Sequence, residues 1–267
     1  MKRILYKNIE KYSWIFKIYI LLFNKIKCNI KSLEINTVLF RRNSLLFNGN
    51  SNKFISGKNC SIQKNFIDIQ GEGNEIYFRE GTIIEENCPI RINGNNNKII
   101  IEKDCKFRES SIFICGDNNL VHIQENCSGI FVELHMEQDN NRILIGKKTT
   151  LHGRQFRTIH FDLDEGTTLR IGEDCMFSND IQLRTTDSHS IISLNGKRIN
   201  YAKDIEIGRH CWIGMGVIIL KGVKIEDNTV VAAGSVCTKK SKEQNIILAG
   251  NSAEIVKKNI NWDRKFL

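Results

Sequence analysis

A branched aliphatic residue recurs at every sixth position from Ile207 through Ile213, Ile219 and Ile225 to Val231. That spacing fits neither an α-helix, whose face returns about every 3.6 residues, nor a strand, whose side chains alternate. It fits a chain that turns a corner every six residues, closing three short sides into a triangular coil, with successive coils stacked as a parallel β-helix. Each aliphatic then points into the prism. Gly208, Gly214 or Glu226 stands beside it, and four residues after an aliphatic a small side chain, Cys211, Val217 or Thr229, takes the tight corner.

From about residue 33 to 148 a looser repeat runs. Gly73-Asn74, Asn96-Asn97, Asn118-Asn119 and Asn140-Asn141 recur at intervals of 22 to 23 residues. After each comes an aliphatic strand, then an acidic turn and a small residue, as at Cys105 and Cys127. Asparagine tolerates left-handed backbone and bonds its own turn, so it marks a corner. A coil of about 22 residues is an 18-residue triangular coil with one corner widened, and these asparagines are read as structural. At Ile145-Gly146 and Ile171-Gly172 the loose repeat passes toward the strict one.

Composition agrees. A chain of 267 residues with one proline suits a single elongated domain with appendages. Nine cysteines, an odd number, would be an unusual disulfide framework. Cys60, Cys88, Cys105, Cys127, Cys175 and Cys211 each end a short polar turn, which predicts small buried corner residues in a reducing compartment. No Cys-x-x-Cys pair offers a zinc site, and no metal is expected. The net charge of +9 favours acidic partners: anionic lipid, coenzyme phosphates or an acidic glycan. Nucleic acid is the weakest of the class, because no motif of a nucleic-acid module appears.

The ends differ from the wall. Residues 1–31 carry eight Lys or Arg against Glu10 alone, around the apolar run from Trp14 to Phe23. That run is about half a membrane span, Lys17 interrupts it, and no signal-peptide cleavage site follows. Two readings stay open: a helix or arm capping the solenoid's open end, or a basic amphipathic segment lying on the inner face of the membrane. From Ser252 the chain reads as a short helix through Lys258 and a tail, Trp262 to Arg264, covering the last coil.

One stretch breaks the register, the polar segment 184–204. Ile171 and Ile207 are 36 residues apart, the length of two coils, so the hexad survives while this segment leaves the wall as a loop. Solenoids carry function on such excursions. Cys175-Met-Phe-Ser178, Arg184-Thr-Thr-Asp187-x-His189, Arg198-Ile-Asn200-x-Ala-Lys-Asp204 and Gly208-x-His210-x-Trp212-Ile-Gly214 together resemble the polysaccharide and sugar O-acetyltransferase branch of the hexapeptide-repeat acyltransferases. The resemblance is specific over roughly the last third of the chain. It implies an all-β fold: a left-handed parallel β-helix over 32–251, preceded by the N-terminal basic or helical segment 1–31 and followed by the short C-terminal helix and tail, 252–267.

The resemblance also implies a chemistry: acetyl passed from acetyl-CoA directly to a sugar hydroxyl in a bacterial-type surface polysaccharide such as a capsule. His189 falls on the position of the general base. Removing the hydroxyl proton during attack suits an imidazole, and Asp187 stands near enough in sequence to orient it. Trp212 faces outward and borders the groove between subunits of the family's trimers, where the coenzyme lies. Gly214 and Gly216 bare the wall so that backbone amides can meet the thioester. Ala233, Gly234 and Ser235 let the pantetheine arm lie along the coils, and Lys239 and Lys240 would meet the phosphates. Arg184, Asn200, His160 and Arg198 are candidates for the acceptor, with His152 also placed beside it. The basic residues Arg154, Arg157, Arg184, Lys197 and Arg198 favour an acidic acceptor. His210 reads as a turn residue, His122 and His135 as ordinary wall residues. Three competing classes are weighed: an N-acyltransferase of an amino sugar, a non-catalytic glycan-binding β-helix, and a zinc hydrase. The last would need a third histidine where Leu194 stands. The expected setting is cytoplasmic, peripheral to the membrane if residues 1–31 lie on lipid.

Overall fold

The computed structural model describes residues 24–28, 32–37 and 39–265. The run from Trp14 to Phe23, and with it both readings of the N-terminal segment, lies outside the described residues. Strands run in a repeating order of first, second and third face, and collect into three sheets of ten, nine and eleven strands. Every pairing within them is parallel except the last. The three faces enclose one continuous apolar core, as the six-residue spacing requires: Ile207, Ile213, Ile219, Ile225 and Val231 are all buried. The wider lower coils are filled by larger side chains, Phe40, Phe47, Phe54 and Phe78, with Phe54 and Phe78 meeting edge to face at 5.6 Å.

The corners follow one rule. A residue in left-handed backbone immediately precedes a small inward residue. Asn59, Asp104, Asn126, Asp174, His210 and Asn228, with φ between 51° and 61°, precede Cys60, Cys105, Cys127, Cys175, Cys211 and Thr229. All six cysteines named above are buried and unbridged. Burial pushes the Cys88 thiol up to about 11, so it stays protonated and packs as a small apolar group.

The wide corner is held by a ladder of buried asparagines. The backbone N–H of Asn119 donates to the side-chain oxygen of Asn97 at 2.9 Å, and that of Asn141 to Asn119 at 2.8 Å. Each side-chain NH2 caps a backbone carbonyl of the next coil, Asn97 on Gly116 at 2.8 Å and Asn119 on Gln138 at 3.0 Å. A second ladder runs through Asn24, Asn43 and Asn65.

Three expectations need correction. The wall begins inside the basic N-terminal segment: Lys25–Cys28 pairs with Ser44–Phe47, and Asn24 forms the first rung of the second ladder. Charge composition changes at residue 31, whereas the backbone ladder starts earlier. Second, Ile171 pairs directly with Ile207, a step of 36 residues like that from Asp174 to His210. The next step, Arg209 to Asp227, is 18. The long step is therefore one coil carrying an excursion as long again, not two stacked coils. Third, the expected C-terminal helix is a strand: Glu254–Lys258 pairs antiparallel with Ile246–Ala249. A helix there would leave the amides and carbonyls of the last parallel strand unpaired, and a hairpin satisfies them. Among the described residues no helix is long and apolar enough to cross a membrane.

Asn119→Ala removes a rung whose neighbours are both buried, orphaning the backbone N–H of Asn141. Chemical denaturation should show a loss of about 1–3 kcal/mol.

Candidate active site

The excursion leaves the first face after the strand Ile181–Arg184 and returns at Ile205–Ile207 on the second. Its root is built around Asn200, which is 8% exposed. The Asn200 NH2 group donates to the Asp187 carboxylate at 2.8 Å and to the His189 carbonyl at 2.7 Å, while its oxygen accepts from the Ile191 N–H at 2.7 Å. The His189 N–H in turn donates to the Asp187 carbonyl at 2.7 Å. His189 is thus fixed by its backbone. Its ring is exposed and makes no hydrogen bond among the described residues.

Asp187 turns elsewhere. Its carboxylate pairs with Lys221, whose ammonium also reaches the Asn200 carbonyl at 3.0 Å. The Lys221 bond to Asp187, joined by the one from Asn200, holds the Asp187 carboxyl below the usual carboxylate range. Asp187 therefore orients the loop that carries His189, not the imidazole itself. Asn200, placed by the sequence beside the acceptor, has spent its amide on the same loop.

The arginines are also engaged. Arg184 bonds Asp162 at 2.7 Å and the Ser188 hydroxyl at 3.1 Å. Arg198 pairs with Glu165 and lies over the Tyr201 ring at 5.0 Å. Arg154, Arg157 and Lys197 are exposed and form no ion pair among the described residues. His160 and His152 part company: His160 stands on the first face, bonded to Glu133 at 3.2 Å, and His152 on the third, 3.2 Å from the Ser128 hydroxyl. The two therefore stand on different faces of the chain. Burial, with Arg264 nearby, pushes the His152 imidazole down.

Trp212 projects from the third face, 39% exposed. The tail expected over the last coil packs beside it and reaches back to earlier coils. Trp262 stacks on His210 at 4.3 Å and donates its indole N–H to the His210 carbonyl at 2.8 Å. The His210 ring lies 2.6 Å from Asp174, and Arg264 bonds Asp174, Thr150 and the Cys175 carbonyl. Trp262 comes within 6.0 Å of Trp212, so the tail shields one side of that ring. His210 is structural, as expected.

Past Trp212 the chain rounds a corner lined by glycine. A side chain at Gly214 would stand 2.7 Å from the Ala233 nitrogen, so the close stacking of coils demands glycine there. The amides are not free, however: the Gly214 N–H donates to Val231 at 2.8 Å and that of Gly216 to Asn179 at 3.0 Å. The expectation that these amides meet a ligand fails, because the coil ladder uses them. Ser235 is likewise buried, its hydroxyl accepting from Gly250, whereas Ala233 and Gly234 are exposed. Asn179 was missed by the sequence reading. Its side-chain oxygen is buried at this corner without a partner among the described residues, and no repeat position marks it.

Lys239 and Lys240 line a cleft of about 690 Å3 together with Lys203, Lys221 and Lys224, facing Asp204 and Glu206. Lys221 joins this cleft to Asp187 at the loop root. Lys239 already holds Glu254 at 3.0 Å. No hydrogen bond or ring contact links His189 to Trp212 within the described chain.

A family profile described as "Bacterial transferase hexapeptide (six repeats)" matches residues 204–239. The chain is similar to the crystal structure of the polysialic-acid-specific acetyltransferase NeuO, with 34% identity and a TM-score of 0.62, over 84% of this chain and 90% of that one. It is also similar to the polysialic acid O-acetyltransferase OatWY, with 31% identity and a TM-score of 0.52, over 91% and 92%. Among curated sequences it is 37% identical over 125 residues to a polysialic acid O-acetyltransferase of Escherichia coli O1:K1 / APEC and over 138 residues to one of Neisseria meningitidis. Those matches take in 46% and 51% of this chain, and span 39% and 60% of the relatives' own lengths.

Asn200→Ala should open the loop root, read as faster limited proteolysis within 186–203 while the wall's strand signal is unchanged. The Asp187 carboxyl is lowered on folding, so its pair with Lys221 supports the loop above the usual carboxylate range and is lost as pH falls through the lowered value. In Lys221→Met, NMR titration should show the Asp187 carboxyl moving back up.

Proposed function

The chain belongs to the hexapeptide-repeat acyltransferases, in the sugar O-acetyltransferase branch with its left-handed β-helix, and on that premise we propose that it O-acetylates a sugar hydroxyl of an acidic polysaccharide, with acetyl-CoA as donor and His189 as base. The observation that carries this reading is the exposed imidazole of His189, held by its own backbone on a loop rooted through the buried Asn200. An unpaired ring on a fixed backbone is free to take a proton from a bound hydroxyl.

In the proposed reaction the CoA thioester supplies the acetyl group. His189 accepts the hydroxyl proton as the sugar oxygen bonds to the acetyl carbon, and gives that proton to the sulfur as the carbon–sulfur bond breaks. The five-lysine cleft beside the loop root suits the phosphates, and the bare corner at Ala233 and Gly234 suits an extended arm.

His189 and Trp212 do not meet within one chain, and the loop between them in sequence exposes Ile191, Ile192, Leu194 and Ile199. Apolar side chains held out in this way fit a second copy of the chain. We therefore place the site between subunits of a homotrimer, the loop of one facing Trp212 of the next. An acidic acceptor fits the net charge of +9 and the unpaired Arg154, Arg157 and Lys197. It also fits the polysialic acid named for the relatives. The basic segment 1–31 would suit an anionic membrane surface.

Thiol release from acetyl-CoA, measured against acidic and neutral glycans, tests the reading. An acidic glycan should stimulate wild type, and His189→Ala should lower turnover by about 10²–10⁴-fold. Unchanged turnover in that variant would remove His189 as the base. Stimulation should also weaken as salt screens the acceptor.

A further inference from the structure

We propose that His135, His160 and Asp162 form a binding site for a divalent transition-metal ion, zinc being the best fit, on the first face of the β-helix. The three side chains come from adjacent strands, Val132–Glu137 and Ile159–Leu163, where His135 stands directly opposite Asp162 and Glu133 opposite His160. Each offers one ligand atom, and those atoms lie within 4.8 Å of one another.

The spacing suits coordination better than hydrogen bonding. The His135 Nδ1 atom is 3.6 Å from Asp162 Oδ1, too long for a hydrogen bond. Zinc–nitrogen and zinc–oxygen bonds of about 2.0–2.2 Å at a tetrahedral angle separate two ligand atoms by about 3.4 Å. The pair already stands at nearly that separation. The other oxygen of Asp162 is held by Arg184 at 2.7 Å, which leaves Oδ1 turned toward the histidines.

His160 has the hydrogen-bonded carboxylate partner that a metal-bound histidine uses, and His135 has a carboxylate nearby. His160 Nδ1 lies 3.2 Å from Glu133, so an N–H there leaves the Nε2 lone pair for an ion. His135 Nε2 faces Glu137 at 3.5 Å, leaving Nδ1 toward Asp162. Carboxylates outnumber cations around the cluster, with Glu133, Glu137 and Asp162 against Arg184, so the local field favours a cation. Imidazole and carboxylate donors in this number select zinc-like ions over calcium or magnesium, which prefer all-oxygen shells.

The site would tie two strands together across the coil that carries the Arg154–Arg157 excursion. Through Arg184, which also bonds Ser188, it would brace the root of the His189 loop. The inference is independent of the proposed acetyl transfer, since metal binding is measured without turnover.

Full-length, tag-free protein, stripped with chelator, is titrated with zinc chloride by calorimetry and with cobalt(II) by visible absorption. The expected result is one ion per chain, visible cobalt bands and a higher Tm with metal. His135→Gln and Asp162→Asn should each abolish the cobalt bands, and Glu133→Gln should weaken zinc by about 10–100-fold. Circular dichroism of the metal-free variants, matching wild type, establishes that they are folded. Wild type that binds neither ion, or variants that bind like wild type, would overturn the proposal.

Discussion

The structure depends on backbone hydrogen bonds that run along the solenoid from coil to coil. Each strand donates to the coils on both sides, as Ile181 does to Thr158 on the coil before and Gln182 to Val217 on the coil after, so a strand cannot slip in register without breaking both sets. This constraint explains why the same positions recur as small or left-handed. Cys60, Cys105, Cys127, Cys175 and Cys211 fill corners too tight for a larger group, and the residue before each turns the chain. It also explains the glycines at the Trp212 corner: the next coil leaves no room for a Cβ at Gly214, and Gly216 turns the chain at a φ of 70°.

Because the ladder fixes the wall, variation has to leave through the corners. The excursion after Arg184 is as long as a coil and alters no pairing on either side of it: Ile171 meets Ile207 as though nothing intervened. Its order comes from one buried amide, Asn200, and two ion pairs, Asp187 with Lys221 and Arg198 with Glu165. A rigid wall with a separately braced loop places an imidazole in solvent at low conformational cost. The C-terminal tail does a related task at the other corner, where Trp262 and Arg264 reach back over earlier coils to settle beside Trp212.

Much of this was legible in the sequence. The hexad from Ile207 to Val231 pointed to the coil, the paired asparagines to the widened corner, and the break after Arg184 to the loop, while His189 was singled out by the family resemblance. The missed features share a cause, which is that they are made between coils. Charges around the loop look like free cations in sequence, yet Arg184 and Arg198 each find an acid, Asp162 and Glu165, on a neighbouring coil. The C-terminal segment has helical composition, yet an unpaired strand edge beside it made it a strand.

His135 and His160 show the division most plainly. Along the chain they are separate residues of an outward-facing wall, and only the stacking of one coil on the next sets them beside Asp162. The sequence by itself determined the coil, its corner chemistry and the point where the chain leaves the wall, because each depends on residues at fixed short spacing. Tertiary structure alone decided which charges are paired, which amides are spent and which side chains share a surface. Those outcomes depend on register between coils, which widened corners and excursions shift by amounts that no local spacing records.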